Sequence, residues 1–81
     1  MTRDEARTVV LDALVQIAPD VDVSSMNLGA DMRTEADLDS MDFLSLIELL
    51  AGSTGIMLPE RDYGQVRSVD SLADYLIAHP A

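Results

Sequence analysis

Asp39-Ser40-Met41-Asp42 sets one serine between two carboxylates, where an apolar run begins. To act as a nucleophile in its own right, Ser40 needs a general base and a group that orients the base. No histidine, lysine or glycine-rich elbow stands near it in the sequence. A serine at a helix N-terminus has another use. Its hydroxyl faces outward, and a phosphate placed on it meets free backbone N–H groups and the positive end of the helix dipole. Ser40 therefore suits an attached phosphodiester, provided that a second enzyme supplies the chemistry. On local chemistry alone, the competing reading is a plain helix cap.

The other chemically capable residues lead nowhere comparable. His79 is a single histidine with no cysteine in the chain, so it forms neither a metal set nor a triad. It is placed to complement a helix C-terminus. The run Asp20-Val21-Asp22-Val23-Ser24-Ser25 has the oxygen spacing of a calcium loop. It carries Ser25 where the turn needs glycine, and Asp31 where a bidentate glutamate closes the cage. No metal site is expected, only nonspecific divalent binding to an acidic surface. Met26, Met32 and Met57 read as fillers of core gaps, whereas Met41 stands beside Ser40.

The elements that must position Ser40 are legible from periodicity. Thr2 and Glu5 form a capping box, and Ala6, Val9, Val10, Ala13, Leu14 and Ile17 make one apolar stripe that Pro19 ends. Residues 20 to 39 show no period and read as a long loop whose scattered apolar residues pack across the bundle. A second helix is expected from about Ser40, capped by Asp39 or Ser40, with Asp42 in its first turn. Its apolar face reads as Leu44, Ile47, Leu50 and Ala51, widened by Phe43, Leu46 and Leu49, with a stop near Gly52 or Gly55. A short helical turn follows Pro59 and is expected to break at Gly64. The last helix starts after Ser68, with Val69, Leu72, Ala73, Leu76 and Ile77 at helical spacing, and Pro80 closes it. The fold expected is all-α: a four-helix bundle of three longer helices and one short one, with a long loop between the first two.

Composition limits what such a bundle does. The chain has 81 residues, which makes residues 1–81 one domain. With 48% hydrophobic residues it has material for a core, and its lack of cysteine removes disulfides and thiol chemistry of its own. Fifteen acidic residues against five arginines give a net charge of -10. That field repels nucleic acids and anionic lipid, and it attracts basic protein patches. No signal peptide or membrane span is readable, so a cytoplasmic monomer is expected.

The order of these features resembles the acyl carrier proteins. The likeness runs through the leader helix, the acidic loop, Asp39-Ser40-Met41 opening the second helix, the run from Gly55 through Ile56, Leu58 and Pro59 to Glu60, and the final helix after Ser68. It covers essentially the whole chain. The resemblance implies that Ser40 bears 4'-phosphopantetheine, delivered from coenzyme A by a phosphopantetheinyl transferase, and that Asp39 and Met41 flank the attachment. It implies a carrier that catalyses nothing and holds acyl groups as thioesters for loading, condensing or transferring enzymes. Asp37, Asp39, Asp42 and Glu48 would meet basic patches on those partners, with Met41 and Leu44 as apolar contacts beside the arm. In some family members the cargo is sheltered, and Leu46, Leu50, Leu58, Tyr63, Val66, Leu72 and Ile77 would line such a cleft here, or else simply form the core. Phe43, Ser45, Glu48 and Ala51 depart from the usual fatty-acid carrier pattern and point to a specialised lipid or polyketide-like pathway. An aminoacyl or aryl carrier, or an unmodified acidic adaptor, are the alternatives.

Overall fold

In the computed structural model, which describes residues 1–79, the expected capping box opens α1 (Arg3–Ile17). Thr2 Oγ1 accepts from the Glu5 N–H at 3.1 Å, and Glu5 Oε1 accepts from the Thr2 N–H at 2.9 Å. Ala6, Val10, Ala13 and Leu14 are buried, while Val9 and Ile17 pack against the core from its edge. The Ala18 N–H donates to the Leu14 carbonyl and ends the helix before Pro19.

The segment expected to be featureless holds a single 3₁₀ turn (Val23–Ser25) and a short helix, α2 (Met32–Glu35). Four residues are too few to display a helical period, which is why α2 escapes a reading of the pattern. Met32 is fully buried, and Val21, Met26 and Leu28 pack partly buried against the core, so the loop does lie across the bundle. Two backbone bonds stitch it to the far end of the chain: the Met32 N–H to the Arg67 carbonyl at 2.8 Å, and the Asp70 N–H to the Leu28 carbonyl at 3.0 Å. The exposed Asp22 carboxylate accepts from the Ser24 and Ser25 hydroxyls at 2.6 and 2.7 Å and from the Ser24 N–H. These bonds, that of the Ser24 hydroxyl first, hold its carboxyl below the usual aspartate range.

α3 (Ser40–Thr54) runs through Gly52 and ends at Gly55, which adopts φ 74°. Only glycine takes that left-handed conformation without penalty, and its N–H closes the helix on Ala51. The buried face of α3 is Phe43, Leu46, Ile47 and Leu50, and Leu44 is 38% exposed. The apolar stripe is therefore rotated from the expected one, and Leu44 lies at its edge, facing a groove toward Tyr63.

The segment after Pro59 is a 3₁₀ helix (Glu60–Gln65) that continues through Gly64 instead of breaking there. α4 (Val69–Ala78) is capped by Ser68, whose Oγ accepts from the Ser71 N–H at 3.0 Å. Val69, Leu72, Ala73 and Leu76 are buried, but Ile77, in the last turn, is 39% exposed. The expected stop at Pro80 lies outside the described residues.

α1 packs on both α3 and α4, and α1 and α4 are also pinned by Arg7–Asp70 at 2.8 Å and Arg3–Asp74 at 3.2 Å. The result is the expected all-helical bundle, three long helices with short ones between them and no strand among the described residues. None of these helices is long and apolar enough to cross a membrane.

Candidate functional site

The N-terminus of α3 is built by its own sequence. Asp39 is the cap: its Oδ1 accepts from the Asp42 N–H at 2.8 Å, and Asp42 Oδ2 accepts from the Asp39 N–H at 3.4 Å. This box leaves the Ser40 hydroxyl out of the capping arrangement, so the plain-cap reading of Ser40 does not hold. Ser40 is the first helical residue and is exposed. The Asp42 N–H is taken by Asp39 Oδ1 and the Phe43 N–H by the Asp39 carbonyl, which leaves those of Ser40 and Met41 at the open end.

The chain reaches this helix through a sharp turn. Leu38 is buried and its N–H returns to the Arg33 carbonyl at 2.8 Å, while Asp37 takes φ 54°. This is the six-residue closure of a helix C-terminus, with aspartate at the position that glycine usually fills. The turn swings the chain from α2 directly into the Asp39 cap.

Along α3, at about 100° of rotation per residue, Met41, Leu44, Ser45 and Glu48 fall on one side. All four are exposed, Met41 at 73%. Asp37 and Asp39 stand exposed at the head of that stripe. Asp42 does not join it; it is half-buried on the flank and engaged in the capping box. The sequence-derived contact set is thus brought together except for Asp42.

On the other side of Ser40 lies a groove of about 370 Å³ between the start of α3 and the Glu60–Gln65 segment. Phe43, Leu44 and Tyr63 form its apolar wall, and Arg33 and Arg67 are also among its lining residues. Phe43 and Tyr63 meet edge to face with ring centres 5.8 Å apart, and the Arg33 guanidinium lies 6.0 Å from the Phe43 centroid. Asp31 caps α2 by accepting from the Arg33 N–H at 2.9 Å. That bond is the main cause holding the Asp31 carboxyl below the usual range; burial opposes it, and the Arg33 side chain and, last, the Arg67 charge add to the lowering. The sequence reading missed both arginines. They are distant in the chain, and no spacing rule connects them.

Of the residues that a cargo cleft would use, Leu46, Leu50, Val66 and Leu72 are packed in the core. Leu58 and Tyr63 are partly buried against it. His79 caps α4 through its backbone, stacks on Tyr75 with ring centres 4.0 Å apart, and sets Nδ1 3.1 Å from the Tyr75 carbonyl. An exposed hydroxyl and free N–H groups stand at the open end of α3, with two arginines along the adjacent groove, so the site is rich in hydrogen-bond donors.

Residues 9–76 match the family described as "Phosphopantetheine attachment site". The chain is also similar to an acyl carrier protein of Rubrobacter xylanophilus, with 28% identity over 76 residues that cover 90% of this chain and 94% of the relative.

Proposed function

The chain belongs to the phosphopantetheine attachment family, and on that premise we propose that Ser40 is the residue that bears the arm. The protein is a carrier and not an enzyme, and 4'-phosphopantetheine is its covalent cofactor. The observation that carries the assignment to Ser40 is the Asp39–Asp42 capping box, which completes the helix start without the serine and leaves its hydroxyl exposed.

With a transferase supplying the base, Ser40 Oγ attacks the pyrophosphate of coenzyme A. One Oγ–P bond forms, the anhydride bond breaks, the nucleotide leaves with the electron pair, and the hydroxyl proton passes to the transferase. The bound arm supplies a thiol that this cysteine-free chain lacks, and that thiol holds an acyl group as a thioester. The chain's own part is presentation. Asp37, Asp39 and Glu48 offer carboxylates to basic patches, and Met41 and Leu44 offer apolar surface beside the attachment point. Exposed pairs of this kind are individually weak and salt-sensitive, and so give the fast, reversible docking of a carrier that visits several enzymes.

The exposed Ser45 and Glu48 and the buried Phe43 support a dedicated carrier of a specialised lipid or polyketide-like pathway over a general fatty-acid carrier. The test is to incubate the purified protein with coenzyme A and a promiscuous phosphopantetheinyl transferase and to weigh the product. A mass gain of one arm is expected for the native chain and none for Ser40→Ala with its helical circular dichroism unchanged. An arm found on Ser40→Ala would refute the assignment.

A further inference from the structure

The helix dipole and free N–H groups at the start of α3 favour an anion, but Asp37, Asp39 and Asp42 gather there in a chain of net charge -10 and oppose it. An anion attached to Ser40 needs compensation close by. Of the five arginines, Arg3 and Arg7 are committed to Asp74 and Asp70 across the α1–α4 contact. Arg33 and Arg67 instead line the groove that begins at Ser40. The bond from the Met32 N–H to the Arg67 carbonyl sets their backbones side by side. Arg33 is pre-oriented, with Nε 3.6 Å from Asp31 Oδ1 and its guanidinium over the Phe43 ring. Arg67 is exposed and has no ion-pair partner among the described residues. Glu60 is the one carboxylate among the groove's lining residues, so cations outnumber anions there.

We propose that this groove cradles the root of the arm: Arg33 and Arg67 take its phosphodiester, and Phe43, Leu44 and Tyr63 take the branched carbon chain beside it. The proposal rests on Ser40 being the attachment residue. A guanidinium presents several donors in a fixed plane and suits phosphate oxygens. The edge-to-face pair of Phe43 and Tyr63 gives the carbon chain a firm apolar wall. Held at its root, the arm leaves Ser40 along the groove instead of in every direction.

Isotope-labelled apo protein and the same sample converted with coenzyme A and a promiscuous transferase test this directly. Mass spectrometry first establishes whether the arm is on Ser40; no gain in mass overturns the attachment reading and this one with it. With the arm in place, the Nε–H signals of Arg33 and Arg67 and the ring signals of Phe43 and Tyr63 are expected to move, and those of Arg3 and Arg7 to stay. The phosphorus resonance is expected to differ from that of free 4'-phosphopantetheine methyl diester, and to approach it at high salt or in the Arg33→Gln, Arg67→Gln double variant. Full modification with unmoved Arg33 and Arg67 signals would overturn the cradle and leave the attachment intact. So would a phosphorus resonance identical in native and variant proteins.

Discussion

Asp39 has two separable duties, and replacing it with alanine or with asparagine pulls them apart. Its carboxylate accepts the Asp42 N–H at 2.8 Å, and the Asp42 carboxylate returns to its N–H at 3.4 Å. Alanine removes the acceptor and leaves that N–H unpaired at the helix end. Loss of such a cap costs about 1 kcal/mol, up to about 2. In a domain of this size, 1 kcal/mol moves the melting temperature by about 4–8 °C. Asparagine keeps an acceptor oxygen in the same place and removes only the charge. The lost charge–dipole attraction, about 0.3–1 kcal/mol, is offset in part by relief of repulsion from Asp42. Asp39→Asn is therefore expected to melt within about 3 °C of the native protein, and Asp39→Ala clearly below it. The rate of arm transfer onto Ser40 should follow the charge and not the cap. Both variants should be modified about 2- to 5-fold more slowly at low salt, the size of one exposed ion pair. The gap to the native protein should close as salt is raised. Melting curves and a transfer assay on the three proteins are sufficient. Equal destabilisation by asparagine and alanine would refute the capping account. Asparagine transferring at the native rate at low salt would refute the docking account.

Leu46→Ala, at a fully buried position of α3, should cost about 3–4 kcal/mol. That is a large share of the roughly 4–12 kcal/mol expected of 81 residues, so urea unfolding should show a partly unfolded population in water. Asp37→Gly should stabilise by about 0.5–1 kcal/mol, because relief of the left-handed strain at φ 54° exceeds the extra freedom of the unfolded chain; a lower melting temperature would contradict this. Acid should weaken the protein in a predictable window. The carboxyls of Glu5, Asp22 and Asp31 are all lowered by hydrogen bonds, those of Thr2, Ser24 and Arg33 respectively. Their contribution is fully present above the ordinary carboxylate pKa and is lost as pH falls below about 4 through their folded values. Melting temperature against pH should show that fall, and Asp22→Asn should make it shallower; an unchanged slope would remove Asp22 from the account.

The helices that carry the site were readable because their instructions are local. Thr2 with Glu5, Asp39 with Asp42 and Ser68 with Ser71 each close over three residues, and the apolar stripes of α1, α3 and α4 repeat at the helical period. A reader of the chain alone can therefore place Ser40 at a helix start and expect its hydroxyl to face outward. The same reading leaves open whether Asp39 or Ser40 is the cap, since both residues are good caps. It also misjudges Leu44 and Ile77, since which edge of a stripe is covered depends on how a neighbouring helix lies against it. α2 is too short to show a period, and the burial of Met32 depends on a backbone bond to Arg67 at the far end of the chain. That same bond brings Arg33 and Arg67 together beside Ser40. Sequence alone determined the serine and the helix that presents it, through hydrogen bonds and periods spanning a few residues. Only the tertiary structure decided what surrounds it, because the groove joins segments that meet solely when the loop folds back across the bundle.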